Sequence, residues 1–264
     1  MSRLPVRKTY KLFIGGAFPR SESGRTLELE GSNVARGSRK DARDAVVAAR
    51  KAFPVWAQAT AYNRGQVLYR LAETMETRSD ALAALCEGRL EVETAIDRVV
   101  WYAGWADKLA QVLGSANPVA GPYFSFTIPE PTGVVAIVAP DVPALDGLVA
   151  RLAPALAGGN AVVVVASDVH PLAAIELAEC VATSDLPSGV VNVLTGMRAE
   201  LAPVLAAHMD VNAIDVGGAG DEATELELAA AENVKRVVRH GMQQSPWEIA
   251  AFMELKTVWH PIGV

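Results

Sequence analysis

EPTGVVAIVAP (130–140), LAPALAGGNAVVVVASDVHPLAAIELAE (152–179) and LPSGVVNVLTG (186–196) are the pieces from which the fold can be read. Val134–Val138 and Val162–Val165 are short β-branched runs bounded by Gly, Pro and Asn, the pattern of strands buried on both faces. Between them Ala144–Leu156 carries an apolar helical pattern, and Pro171–Val181 repeats it after the second strand. A third strand follows at Val190–Leu194. Strand, helix, strand, helix, strand predicts a parallel sheet with crossover helices, an α/β fold.

The N-terminal third reads as short strand-like pieces with turn signals at Gly15-Gly16 and Ser23-Gly24, followed by helices. Ser38-Arg39-Lys40-Asp41 resembles a capping box, opening a helix expected to turn Val46, Val47 and Ala49 inward. Asn63–Cys86 reads as an amphipathic helix or helix pair carrying Val67, Leu68, Leu71, Met75, Leu82 and Leu85. Glu93–Leu113 is expected to place Ile96, Val100 and the Trp101/Trp105 pair on one packed side. Tyr123–Ile128 alternates as a strand with one apolar face does.

These segments closely resemble the aldehyde dehydrogenase superfamily. The resemblance rests on the core pieces above and on Lys11–Arg25 (KLFIGGAFPRSESGR), Ala52–Trp56 with Arg64, and Tyr102–Lys108. It continues through Tyr123–Gly133 to about Val238 and returns at Phe252–Trp259. It implies a Rossmann-like parallel sheet with flanking helices, plus a small projecting oligomerisation β-sheet built from Tyr123–Ile128 and the C-terminal strand. The implied organisation is an N-terminal part of an NAD-binding-like domain (1–121), oligomerisation strands (122–132), a Rossmann-like core (133–241) and a bridge with the last oligomerisation strand (242–264). Only about a dozen residues separate Gly241 from the tail, where the family would carry its catalytic domain. That domain is expected to be absent.

The chemistry implied by the family is thiolate attack on an aldehyde, hydride transfer to NAD, and hydrolysis assisted by a glutamate. An asparagine helps stabilise the oxyanion. Val142 stands at the asparagine position, within Pro140-Asp141-Val142-Pro143, and valine donates no side-chain hydrogen bond. Val165 stands where the family has a ribose-contacting lysine. Val216-Gly217-Gly218-Ala219 replaces the Phe-Thr-Gly-Ser segment that approaches the pyrophosphate, leaving Gly217 and Gly218 as vestigial cofactor-binding candidates. His240 falls near the glutamate position. Cys86 and Cys180 both lie on apolar helical patterns, the setting of a small buried hydrophobe rather than a nucleophile. No catalytic residue is therefore assigned.

The acidic run Asp221, Glu222, Glu225 and Glu227 suits a solvated helix start and also disfavours an anionic cofactor nearby. No cofactor is expected, NAD being the one that a retained crevice at the sheet's switch point could still take. Four scattered histidines show no ligand spacing, so no metal is expected. His170 is placed at a helix start, and His208 at a helix end where positive charge would suit the dipole. The formal net charge of −6 over 264 residues argues against nucleic acid. No apolar run nears the ~18 residues of a membrane span. MSRLPVRKTYKL lacks the apolar centre of a signal peptide, and two cysteines suit a reducing compartment. The expectation is a cytoplasmic protein.

Three functions follow in order of support. The first is a non-catalytic aldehyde dehydrogenase-like subunit that assembles with a full-length NAD-dependent aldehyde dehydrogenase in a structural or regulatory role. It is similar to the second module of family 16 members, which lacks the cysteine. The second is a nucleotide-binding regulatory module. The third is an NAD-dependent aldehyde oxidoreductase acting alone. Self-association through the projecting sheet also stays open, as does the role of the Met242–Trp247 bridge.

Overall fold

Runs of β-branched residues whose every side chain is covered can only lie in the middle of a layered sheet. A computed structural model, which describes residues 6–29, 31–239 and 241–263, places them there. The N-terminal strands β1 (Thr9–Tyr10), β2 (Thr26–Leu29) and β3 (Ser32–Ala35) form a small sheet ordered β1-β3-β2. Five helices follow: α1 (Arg39–Gln58), α2 (Ala61–Thr77), α3 (Ser79–Ala83), α4 (Arg89–Trp105) and α5 (Leu109–Leu113). β4 (Ser115–Asn117) and β5 (Tyr123–Pro131) lead into the core. The core alternates β6 (Val134–Val138), α6 (Ala144–Ala157), β7 (Ala161–Val165), α7 (Pro171–Val181), β8 (Val191–Leu194), α8 (Arg198–Ala207), β9 (Ala213–Asp215), α9 (Ala223–Ala231) and β10 (Arg236–Val238). The chain then runs through α10 (Pro246–Ala250) into β11 (Met253–Pro261).

The core sheet is parallel throughout, ordered β10-β9-β6-β7-β8. Strand alternation divides its apolar side chains between two layers. Val135, Ile137, Val162, Val164 and Val193 pack with α6 and α7, behind which lie α2 and α4. Val134, Ala136, Val138, Val163 and Val165 pack with α1, α8 and α9. Each valine or isoleucine among them is worth about 1.5–3 kcal/mol when covered, so a one-residue slip of register would be prohibitive. The capping box is present: the Ser38 hydroxyl accepts the Lys40 and Asp41 N–H groups, and the Asp41 carboxylate accepts the Ser38 N–H at 2.8 Å.

β11 pairs antiparallel with β5 over nine residues, Met253 with Pro131 through Pro261 with Tyr123, and β4 covers the other side of β5. Phe124, Phe126 and Ile128 share one face with Val258 across the ladder. Tyr123 and Trp259 meet on the opposite face, ring centroids 5.9 Å apart. Asn160, fully buried, ties this sheet to the core: it accepts the Gly133 N–H (2.9 Å) and donates to the Ala155 (3.0 Å) and Phe252 (3.1 Å) carbonyls.

Several expectations need correction. Val46 and Ala49 are covered, but Val47 points to solvent. α4 buries Val92, Ala95, Val99 and Tyr102, because α2 and α6 press on that stripe. Val100 is exposed, but Ile96, Trp101 and Trp105 are half-buried against the core as expected, the two indoles tilted on each other with 5.5 Å between centroids. The role of the 242–247 bridge is open from the sequence; its residues are exposed or half-buried, and the packed contacts follow just after it. Ser245 caps α10 by accepting the Trp247 N–H, and Ile249 and Phe252 are completely buried beneath α6. No helix among the described residues is long and apolar enough to cross a membrane.

Candidate functional site

In a parallel sheet with this order, ligands sit outside the carboxyl ends of the strands at the point where the connections change direction. Here that point lies between β6 and β9. The loop after β6 carries Asp141 and Val142, the loop after β7 carries Ser167 and Asp168, and the turn after β9 carries Gly217 and Gly218.

The polar groups of this edge are bonded to one another. The Arg198 guanidinium reaches from the start of α8 to Asp141 at 2.6 Å and to the Ala139 carbonyl at 3.3 Å. The Ser167 hydroxyl donates to the same Asp141 oxygen at 2.7 Å, while accepting the Val169 and His170 N–H groups. Asp168 accepts the Arg198 N–H at 2.8 Å, and burial holds its carboxyl above the usual range. An ion pair thus crosses the ends of β8, β7 and β6. Gly218 is pressed on the β6 loop, where an added Cβ would stand 2.3 Å from the Val138 carbonyl oxygen. Its missing side chain serves the chain's own packing. Gly217 is exposed, its N–H bonded to Asp215 at 2.7 Å.

These residues do not fit a dinucleotide. Val165 is fully buried on the α1/α8 face of β7 and presents no cation. Asp141 and Asp168 line the edge, and Asp221 and Glu222 form the 3₁₀ turn ahead of α9. A pyrophosphate would meet carboxylates there, with the Arg198 guanidinium already committed to Asp141.

Val142 is 60% exposed on the rim, just before Pro143, with a cis peptide bond between them. It borders a cavity of about 350 Å³ together with Cys86, Glu87, Asp141, Val169 and His170. Cys86 does not lie on a helix but in the turn after α3, half-buried, and burial pushes its thiol up to about 11. Cys180 is fully covered on α7 and pushed up to about 12 for the same reason. Neither yields useful thiolate near neutrality. His240 lies outside the described residues. His170 caps α7 without a side-chain bond, as placed from sequence. His208 does end α8, but burial lowers its pKa, and its Nδ1 accepts the Asp210 N–H at 3.1 Å; it is a neutral acceptor, not a cation at the dipole.

The largest polar feature beneath this edge escaped the sequence reading. Glu91 accepts the Leu145 (2.7 Å) and Asp146 (3.0 Å) N–H groups, capping α6 from a distance in sequence. Asp146 and Arg98 form a two-pronged pair at 2.7 and 3.0 Å, both side chains under 10% exposed. Arg98 also donates to the Met242 carbonyl, and Arg151 faces Asp215 at 3.7 Å. The signal was available. Asp146 and Arg151 are the two charges of an otherwise apolar helix, and charges in such a place need partners.

Among known proteins, the aldehyde dehydrogenase family model matches residues 28–258. A cytosolic aldehyde dehydrogenase 1 from Elephantulus edwardii is 31% identical over 97% of this chain and 54% of its own length. The cytosolic 10-formyltetrahydrofolate dehydrogenase of Mus musculus is 33% identical over 97% of this chain and 31% of its own. The betaine aldehyde dehydrogenase of Staphylococcus aureus, solved with NAD+, superposes with a TM-score of 0.80 at 25% identity, covering 86% of this chain and 48% of that one. The chain therefore spans about half of the first of these enzymes and of the solved structure. Shared sequence across nearly its whole length, with the shared core sheet, settles its relationship: the chain belongs to the aldehyde dehydrogenase family.

Proposed function

We propose that this chain is a non-catalytic aldehyde dehydrogenase-like subunit that assembles in the cytoplasm with a full-length NAD-dependent aldehyde dehydrogenase. Its role is structural or regulatory. The observation that carries this reading is the sheet of β4, β5 and β11. β11 is nine residues long, its outer edge is unpaired among the described residues, and Leu255, Val258 and Trp259 on it are exposed, as are Phe124 and Ile128 on β5. A long apolar edge strand is a template for another chain, and such patches mark association surfaces.

The carboxyl edge supports the same reading from the other side. Val142 offers no side-chain donor for an oxyanion, burial pushes both thiols far above neutrality, and the Arg198–Asp141 pair closes the strand ends beside the switch point. In this reading residues 1–121 and 133–241 form the scaffold, and 122–132 with 242–264 form the assembly surface. The purified chain, given NAD and an aldehyde, is expected to form no NADH and to show no saturable NAD, NADP or acyl-CoA binding. Aldehyde-dependent NADH formation would overturn the proposal, and tight nucleotide binding would favour a nucleotide-regulated module instead.

A further inference from the structure

At the opposite, amino edge of the core sheet lies an open cleft of about 390 Å³, lined by Thr132, Asn212, Val234, Lys235, Arg236 and Glu254. The chain builds it with an uncommon turn. α9 ends with the Lys235 N–H donating to the Ala230 carbonyl (3.1 Å) and the Val234 N–H to that of Ala231 (3.2 Å). This closure puts Val234 at the left-handed position, φ +57°, where glycine is usual. Val234 itself is 92% exposed, while Lys235, next to it, is only 9% exposed yet borders the cleft.

The lysine amine is held by a neutral acceptor, Asn233 Oδ1, at 2.6 Å. The carboxylate of the cleft, Glu254, is engaged by Arg236 at 2.9 Å. Arg236 also donates to the Ala251 and Met253 carbonyls and so is fixed beside the lysine. His208, at the end of α8, brings no negative charge. Burial without a counter-ion pushes the Lys235 amine down to about 8. At pH 7 roughly a tenth of such an amine is neutral, against less than roughly one in a thousand for an ordinary lysine. In the same cleft the Thr132 hydroxyl oxygen is buried with no hydrogen-bond partner.

We propose that Lys235 is a carbonyl-capturing amine, whose neutral nitrogen condenses with a small aldehyde held in this cleft. The nitrogen lone pair forms the new C–N bond. Both amine hydrogens pass to the former carbonyl oxygen, which departs as water and leaves an imine. No electrons change hands. The cleft borders the assembly surface through Thr132 and Glu254, but capture by the Lys235 amine does not depend on that reading.

The test is to incubate the full chain with propanal and cyanoborohydride, which fixes an imine as a stable secondary amine, and to rank the lysines by peptide mapping. Lys235 is expected to label at least about tenfold faster at pH 7 than the more exposed Lys40, Lys108 and Lys256. Its rate should climb with pH and level off above about 8. Lys235→Arg should remove that adduct and leave the others. Labelling that follows exposure, with Lys235 among the slowest, overturns the proposal. The ranking within the native chain decides even if the variant fails to fold.

Discussion

The carboxyl edge of the core sheet and the β4-β5-β11 sheet have opposite characters. At the first, the polar groups have turned inward on each other: Arg198 to Asp141, Ser167 to Asp141, Glu91 to the start of α6, Arg98 to Asp146. At the second, apolar groups stay outward, with Phe124 49% and Trp259 58% exposed. A surface that satisfies its own donors and acceptors has little left to offer a ligand. A surface that keeps aromatic side chains in water gains free energy by being covered. The proposed assembly role rests on this contrast.

Breaking the inward-turned region should cost the most. Asp146→Ala leaves the Arg98 guanidinium buried without its carboxylate, so unfolding free energy should fall by about 3–5 kcal/mol, read from the urea midpoint. A loss under about 1 kcal/mol would mean that water reaches the pair and that the edge is open. Asn160→Leu comes next, because it keeps the branched shape but strands the buried Gly133 N–H and removes one of the bonds to the Phe252 carbonyl. About 2–4 kcal/mol should be lost, with the β5–β11 ladder exchanging its amides faster than the core sheet. Uniform exchange would show that the two regions are not separable.

On the outward-turned region the expectation reverses. Val258→Asp lies on an exposed strand, so stability should change by no more than about 0.5 kcal/mol, while association through the sheet is lost. An unchanged oligomer size would remove the sheet from the account. The smallest effect is a matter of pH. Burial depresses the His208 pKa below its ordinary 6.5, so the unfolded chain takes up this proton first. Stability should therefore be lost as pH falls from about 6.5 through the folded value. Comparing native chain and His208→Gln at pH 7 and 5.5 isolates that slope, and equal slopes would place a protonated imidazole at the end of α8 after all.

The sequence made the core sheet legible because its strands are covered on both faces. Val134–Val138 and Ala161–Val165 could be nothing else, and Pro171 at a helix start marks α7 to the residue. The inward stripe of α4 was not legible. Its choice between the Val92/Ala95/Val99/Tyr102 side and the tryptophan side is made by α2 and α6, which lie elsewhere in the chain. The buried ion pairs were hidden for the same reason, since Arg98 and Asp146 are 48 residues apart. At the candidate site, Val142 and Val165 could be placed by resemblance alone. Arg198 could not, because nothing local shows that its guanidinium reaches Asp141 across three strand ends.

The most direct measurement is the mass of the native chain recovered from its own cell extract, with every co-purifying protein identified. The account predicts a complex in fixed ratio with a full-length aldehyde dehydrogenase, lost on Val258→Asp. A lone 27.9 kDa species, indifferent to that substitution, would contradict it.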